Sequence, residues 1–123
     1  MSKSRPTPAE WEILNALWKL GPSTVRAVHE AIGASGYTTT LKLMQVMFDK
    51  GLVKRDESAR AHLYTPKLKQ ESMQTDAASD LLDRVFGGSA IALMQRALSR
   101  RRPNKAELDE LRAMIDNLER GKQ

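Results

Sequence analysis

The sequence predicts a mainly α-helical fold with one small β-hairpin, in which an N-terminal helical unit ends in the hairpin and is followed by a C-terminal helical segment. Three observations support this prediction. Apolar residues recur at helical spacing over most of the 123 residues. Two short β-type runs interrupt that pattern in the middle of the chain. Glycine, proline and polar capping residues separate the helical stretches at short intervals.

Composition narrows the class of protein. The chain is 41% hydrophobic and 28% charged, as folded globular proteins are. Its net charge of +5 favours a polyanionic partner. The chain has no cysteine, which excludes disulfides and thiolate metal sites and fits a cytoplasmic location. It has no apolar run long enough to span a bilayer and no signal-peptide core, so we expect no membrane insertion.

Two capped helices are predicted at the N-terminus. Thr7, Pro8 and Glu10 form a capping box at the start of the first helix, which ends at Gly21. Its apolar stripe consists of Trp11, Leu14, Leu17 and Trp18. Ser23 or Thr24 caps the second helix, which ends at Gly33. Its stripe consists of Val25, Val28 and Ile32, and residues 34–36 are predicted to form a turn.

The third helix, predicted from about Thr38 to Lys50, has two different faces. Its buried stripe is predicted to hold Thr40, Leu43, Met44 and Met47. The opposite face holds Thr38, Lys42, Gln45 and Asp49. Hydroxyl, amide and ammonium groups of this kind donate to phosphates and base edges in a major groove, although an ordinary surface helix is the alternative. Short helices joined by short glycine-containing turns indicate a helix-turn-helix.

Two β-type runs follow the third helix. Residues 52–55 and 62–65 are predicted as strands, joined by a polar connection over residues 56–61. A hairpin placed after a helix-turn-helix is a wing. Its tip carries Arg60, which is positioned to contact the DNA backbone or the minor groove.

The C-terminal half predicts three more amphipathic helices. The first covers residues 68–86 and stops at Gly87-Gly88, the second is capped by Ser89, and the third is capped by Asn104 with Glu107. Three sparse helices of this size bury little surface alone, so we interpret residues 68–123 as a dimerisation domain and residues 1–67 as the DNA-binding domain. The alternative is that the segment folds back on the first unit. The predicted dimerisation residues are Leu81, Leu82, Val85, Phe86, Ile91, Leu93, Met94, Leu98, Leu108, Leu111, Met114, Ile115 and Leu118.

The candidate site residues belong to two groups. The base and groove contacts are predicted to be Thr38, Thr39, Lys42 and Gln45. The phosphate contacts are predicted to be Arg26, Lys50, Lys54, Arg60 and His62. His29 and His62 lack neighbouring ligands in the sequence, and no nucleophile motif or phosphate loop is present. We therefore predict no metal, no cofactor and no catalytic residue.

Several segments resemble the BlaI/MecI-type penicillinase repressors, which are winged-helix transcriptional regulators. The similar segments are residues 8–18, 23–26, 50–53, 60–66, 85–89 and 107–111. The resemblance implies a homodimer that binds a palindromic double-stranded DNA operator and represses β-lactamase, penicillin-binding-protein or copper-homeostasis genes. It also implies a membrane sensor-protease partner that cleaves the repressor in the helix after the Gly-Ser break.

The chain departs from the family pattern at several positions. Lys42 stands where many members have threonine, and Val46 where many have arginine, so the family's operator sequence is not carried over. Arg96-Ala97 stands where the antibiotic-responsive members have an Asn-Phe type bond, which argues against the protease route. The copper-responsive branch uses C-terminal cysteines, which this chain lacks.

We therefore predict a cytoplasmic, dimeric winged-helix repressor without enzymatic activity. The main alternative is a winged-helix module whose third helix binds another protein and that has no sequence-specific DNA binding. No constellation of residues favours a third alternative, a small enzyme.

Overall fold

A computed structural model describes residues 5–33 and 36–121 of the chain. Its elements in chain order are α1 (Pro8–Leu20), α2 (Val25–Ile32), α3 (Tyr37–Lys50), β1 (Val53–Asp56), β2 (Leu63–Pro66), α4 (Gln70–Arg84), α5 (Ala90–Arg100) and α6 (Lys105–Glu119). The predicted fold class, mainly α-helical with a small hairpin, is confirmed.

The two N-terminal helices begin and end where their capping residues predict. The Thr7 hydroxyl accepts from the Glu10 N–H at 3.2 Å, and Glu10 Oε1 accepts from the Thr7 N–H at 3.0 Å, which completes the capping box of α1. The Thr24 hydroxyl accepts from the Ala27 N–H and caps α2, which ends at Gly33 in the left-handed region. Two residues of the predicted turn, 34 and 35, lie outside the described residues.

The core of the N-terminal unit lies between α1, α2, α3 and the hairpin. Its fully buried side chains are Ile13, Leu14, Leu17, Val28, Met44 and Met47. Thr40 is also buried, and Leu43 is half-buried. This confirms the inner stripe predicted for α3, and with it the direction in which the outer face of that helix points.

The hairpin is antiparallel, with Val53 opposite Pro66 and Arg55 opposite Tyr64. Both strands begin one residue later than predicted. At β1 the reason is that the N–H of Leu52 donates to the carbonyl of Met47 at 2.9 Å, so Leu52 completes the end of α3. Ser23 also bridges Tyr64 in antiparallel fashion, which ties the start of α2 to β2.

The chain divides into two compact units, one up to Thr75 and one from Asp76 onward. Met73 of α4 is buried in the core of the first unit. The indole N–H of Trp18 donates to the carbonyl of Leu68 at 3.3 Å, so the residues before α4 also pack with that unit. The functional division into residues 1–67 and 68–123 stays a prediction.

The second unit has well-formed helices but little interior. Ser89 caps α5, and Asn104 and Glu107 form the predicted capping box of α6. Among residues 76–121 none is buried, and α4, α5 and α6 make few contacts with one another. None of the helices in the described part of the chain combines the length and apolar character needed to span a bilayer.

Candidate nucleic-acid interface

The outer face of α3 carries the residues predicted to contact bases. Thr38, Thr39, Lys42 and Gln45 are all exposed. Residues 40, 44 and 47 fix the inward direction of the helix, so Thr38, Lys42 and Gln45 lie opposite the buried stripe and Thr39 lies at the side of the helix next to Thr38. Val46, at 40% exposure, adds an apolar side chain at the edge of this face. The four predicted residues are thus brought together on one accessible surface.

Lys50, which was predicted to contact phosphate, instead contacts the first helix. Its ammonium nitrogen is 2.9 Å from both carboxylate oxygens of Glu10, whose side chain is only 3% exposed. A buried carboxylate needs a cation and hydrogen-bond donors, and Lys50 supplies both. In the sequence alone Lys50 is a basic residue at the end of α3, which is why it was predicted to contact phosphate. The structure commits its ammonium to α1 instead.

The same contact controls the ionisation of Glu10. Burial alone would raise the pKa of the carboxyl, but the Thr7 N–H and the ammonium of Lys50 together outweigh it. The pKa of Glu10 is therefore lower than its ordinary value.

A groove of about 640 Å³ lies between the start of α2, the side of α3 and the hairpin. Four of the predicted contact residues line it: Arg26, Gln45, Arg60 and His62. Thr38, Thr39 and Lys42 lie outside its lining, as does Lys54 on the exposed side of β1. The structure thus gathers one base-contact candidate and three phosphate-contact candidates around a single concave surface.

Arg55, which is not among the residues predicted from the sequence, also lines this groove. Its guanidinium carbon lies 3.8 Å from the centre of the Phe48 ring, and it pairs with Glu57 at 2.6 Å. A hydrogen bond with Tyr64, and then the pair with Glu57, raise the pKa of Arg55 above its ordinary value. The alternation of strand β1 was the available signal, because it places Arg55 on the same face as buried Val53.

Side chains of α2 contact Tyr37 at the start of α3. The guanidinium carbon of Arg26 lies 4.7 Å from the centre of the Tyr37 ring. The His29 ring meets Tyr37 edge-on at 5.9 Å, and its Nδ1 is 3.4 Å from the hydroxyl of Thr40. Tyr37 therefore packs against two side chains of α2, Arg26 and His29.

The other cations of the predicted contact set differ from Lys50 in having no carboxylate partner in the described residues. Arg26, Lys42, Lys54 and Arg60 form no ion pair with any residue of the described ranges. In the hairpin loop, the N–H of Ser58 donates to Asp56 at 2.9 Å and, with the Ser58 hydroxyl, lowers the pKa of that carboxyl. Residues 5–33 and 36–121 contain no group of three or more metal-ligating side chains that could hold an ion.

A sequence profile described as penicillinase repressor matches residues 6–117. The chain belongs to the penicillinase repressor family. The predicted resemblance is therefore confirmed, and it covers nearly the whole chain.

Named relatives and one solved structure are similar to this chain over most of its length. The penicillinase repressor of Staphylococcus aureus is 24% identical over 115 residues, which cover 89% of this chain and 90% of the relative. The transcriptional regulator BlaI of Mycobacterium tuberculosis is 32% identical over 117 residues, 91% of this chain and 83% of the relative. A probable transcriptional regulator of known structure from Pseudomonas aeruginosa is 20% identical, covering 91% of this chain and 77% of its own, with a TM-score of 0.46.

Membership of the penicillinase repressor family determines the class of activity. The family consists of transcriptional repressors and not of enzymes. The prediction of a non-enzymatic transcriptional repressor is thus confirmed at this level. The winged helix-turn-helix and its exposed basic surface are consistent with DNA binding by such a repressor.

Proposed function

We propose that this protein is a cytoplasmic, sequence-specific DNA-binding repressor that acts as a homodimer on a palindromic operator. The observation that carries the proposal is the outer face of α3, which presents exposed hydrogen-bonding groups beside unpaired cations. A helix with such a face fits a B-DNA major groove, which admits one α-helix.

Base contacts are assigned to the first turns of α3. Gln45 pairs with adenine and Lys42 with guanine, since an amide and an ammonium match the donor and acceptor groups of those bases. Thr38 and Thr39 contact phosphate or a thymine methyl group. Asp49 is exposed near the end of the helix, and its carboxylate repels phosphate. The contacts are therefore concentrated before that residue.

Phosphate contacts are assigned to the residues that flank this helix. Arg26 and His62 line the groove beside α3, and Arg60 approaches from the hairpin loop. Lys54 is exposed on β1. Lys50 is left out of this set, because its ammonium is held by Glu10.

The homodimer is inferred from the second unit. Its helices leave many large apolar side chains exposed. A unit this small buries little surface of its own, and stable monomers rarely expose so much apolar surface. These side chains are Leu81, Val85, Ile91, Met94, Leu98, Leu108, Met114, Ile115 and Leu118. Pairing two copies removes this surface from water and presents two α3 helices to two half-sites of one operator.

The sensor protease known for part of the family is not included in this proposal. The bond between Arg96 and Ala97 lies inside α5 and differs from the Asn-Phe type bond of the antibiotic-responsive members.

Salt dependence separates the proposal from the alternative, in which α3 binds a protein. Contacts with about six phosphates should reduce DNA affinity by roughly a thousandfold between about 50 and 200 mM salt. We expect this steep dependence in a fluorescence anisotropy titration with duplex DNA. Duplex binding that is weak and nearly independent of salt would contradict the proposal and favour the protein-binding module.

A further inference from the structure

Tyr37 lies where α2, α3 and the groove meet. It is the first residue of α3, its side chain is 37% exposed, and it lines the groove together with Arg26. Arg26 and His29 reach it from one side of α2, where residues three apart are neighbours. The ring therefore has contacts with both of these residues while part of it faces solvent.

The contact with Arg26 restrains a side chain that is otherwise free. No carboxylate in the described residues pairs with Arg26, so the Tyr37 ring is the charged group's partner in the free protein. An arginine at an exposed surface loses substantial rotamer freedom when it binds a phosphate. The contact with the ring removes part of that freedom before a phosphate binds, and the guanidinium has five N–H donors with which to bind it.

The ring is itself held in place. His29 meets it at 88° with the ring centres 5.9 Å apart, and the Nδ1 atom of His29 is 3.4 Å from the hydroxyl of buried Thr40. Tyr37 thus connects the buried side of α3 to a cation at the edge of the groove.

We propose that Tyr37 is a positioning residue that holds the guanidinium of Arg26 in place to bind an operator phosphate. Tyr37 does not itself contact a base. This inference rests on the proposed function, since it assumes that duplex DNA is the ligand. It adds a residue outside the predicted contact set and gives it a role that acts through Arg26.

The test is a mutant cycle on duplex binding. A random-sequence duplex of about 30 base pairs is a suitable probe because phosphate contacts do not depend on sequence. Affinity and its dependence on salt are measured for the wild type, Arg26→Gln, Tyr37→Leu, the double variant and the matched control Tyr37→Phe. Thermal unfolding of each variant checks that the fold is retained.

We expect Tyr37→Phe to bind like the wild type, because phenylalanine keeps the ring face that attracts the cation. Tyr37→Leu should weaken binding by roughly two- to fivefold, the size of an exposed cation–π contact. The double variant should bind no more weakly than Arg26→Gln. A plot of log affinity against log salt has a negative slope. This slope should become less steep by about 0.9 in Arg26→Gln, and it should also become less steep in Tyr37→Leu.

Several outcomes would overturn the inference. If the losses of the two single variants add in the double variant, Tyr37 does not act through Arg26. The same conclusion follows if Tyr37→Leu binds like the wild type while Arg26→Gln does not. A wild type that fails to bind the duplex would instead remove the proposed function, and this inference with it. If Tyr37→Leu does not fold, pentafluorophenylalanine at position 37 keeps the ring shape, removes its negative face and should reproduce the loss.

Discussion

The ammonium nitrogen of Lys50 lies 2.9 Å from both carboxylate oxygens of Glu10, forty residues away in the chain. Glu10 belongs to the first turn of α1, where it also accepts the N–H of Thr7. Lys50 belongs to the last turn of α3. One ion pair therefore connects the end of the proposed DNA-contacting helix to the start of the first helix.

Removal of this pair should destabilise the first unit. Glu10→Gln keeps the size of the side chain but leaves the ammonium of Lys50 without its charged partner. Because Lys50 retains 24% exposure and can reach water, we expect a loss of roughly 1–3 kcal/mol in the free energy of unfolding. Urea denaturation followed by circular dichroism measures it. The matched control is Glu12→Gln, on the exposed side of α1, which should change stability by less than about 0.5 kcal/mol. Equal effects of the two substitutions would contradict the structural role of the pair.

The stability of the protein should depend on pH through the same carboxyl. The pKa of Glu10 is lower in the folded protein than its ordinary value of 4.5, so the folded state binds this proton less readily than the unfolded state. The contribution is complete above the ordinary value and is lost as the pH falls through the folded-state pKa. We expect the stability difference between the wild type and Glu10→Gln to shrink between about pH 6 and about pH 3. A constant difference over this range would show that Glu10 does not titrate with a lowered pKa.

Two lysines assigned to the proposed interface, one to a base and one to phosphate, should behave differently when removed. Lys42→Ala should weaken binding by roughly 1–3 kcal/mol and relax preference at one operator position, because Lys42 lies on the outer face of α3. Lys54→Ala, on β1, should weaken binding to all sequences about equally and reduce the salt slope by about 1. Selection of bound duplexes with each variant distinguishes the two effects. A uniform loss for Lys42→Ala would reassign this residue to phosphate.

Association of two copies should depend on the exposed apolar residues of the second unit. Ile91 and Leu118 are each 65% exposed, so Ile91→Glu or Leu118→Lys should have little effect on the fold of a single chain. Each should shift the protein toward the monomer in analytical ultracentrifugation, since a buried unpaired charge costs several kcal/mol at an interface. Leu20→Lys is the matched control, because Leu20 is 50% exposed but lies in α1 of the first unit. A wild type that sediments as a monomer at micromolar concentration would contradict the dimer.

Local signals in the sequence were sufficient to predict the helices and the exposed face of α3. The capping boxes at Thr7 and Asn104 and the glycine ends of α1 and α2 act within a few residues, so they are visible without a structure. The stripe of Thr40, Met44 and Met47 predicted which face of α3 is buried, and with it the four exposed candidates on the other face.

Contacts between distant parts of the chain were not predictable in the same way. Glu10 satisfies a capping box locally, and nothing near it in the sequence indicates that Lys50 will reach the same carboxylate. The stacking of Arg55 on Phe48 likewise depends on how β1 crosses the end of α3. A sequence does not show whether a charged residue will bind DNA or pair with another charged residue. Lys50 and Lys54 differ only in how the chain packs around them, which gives Lys50 a carboxylate partner.

The most direct test of the central claim is selection of bound sequences from a random duplex pool, using the intact protein at physiological salt. We expect enrichment of an inverted repeat whose half-sites are separated by one DNA helical turn or a multiple of it, as two α3 helices of a dimer require. Retention of duplexes without any enriched sequence would contradict the claim that this protein is a sequence-specific dimeric repressor.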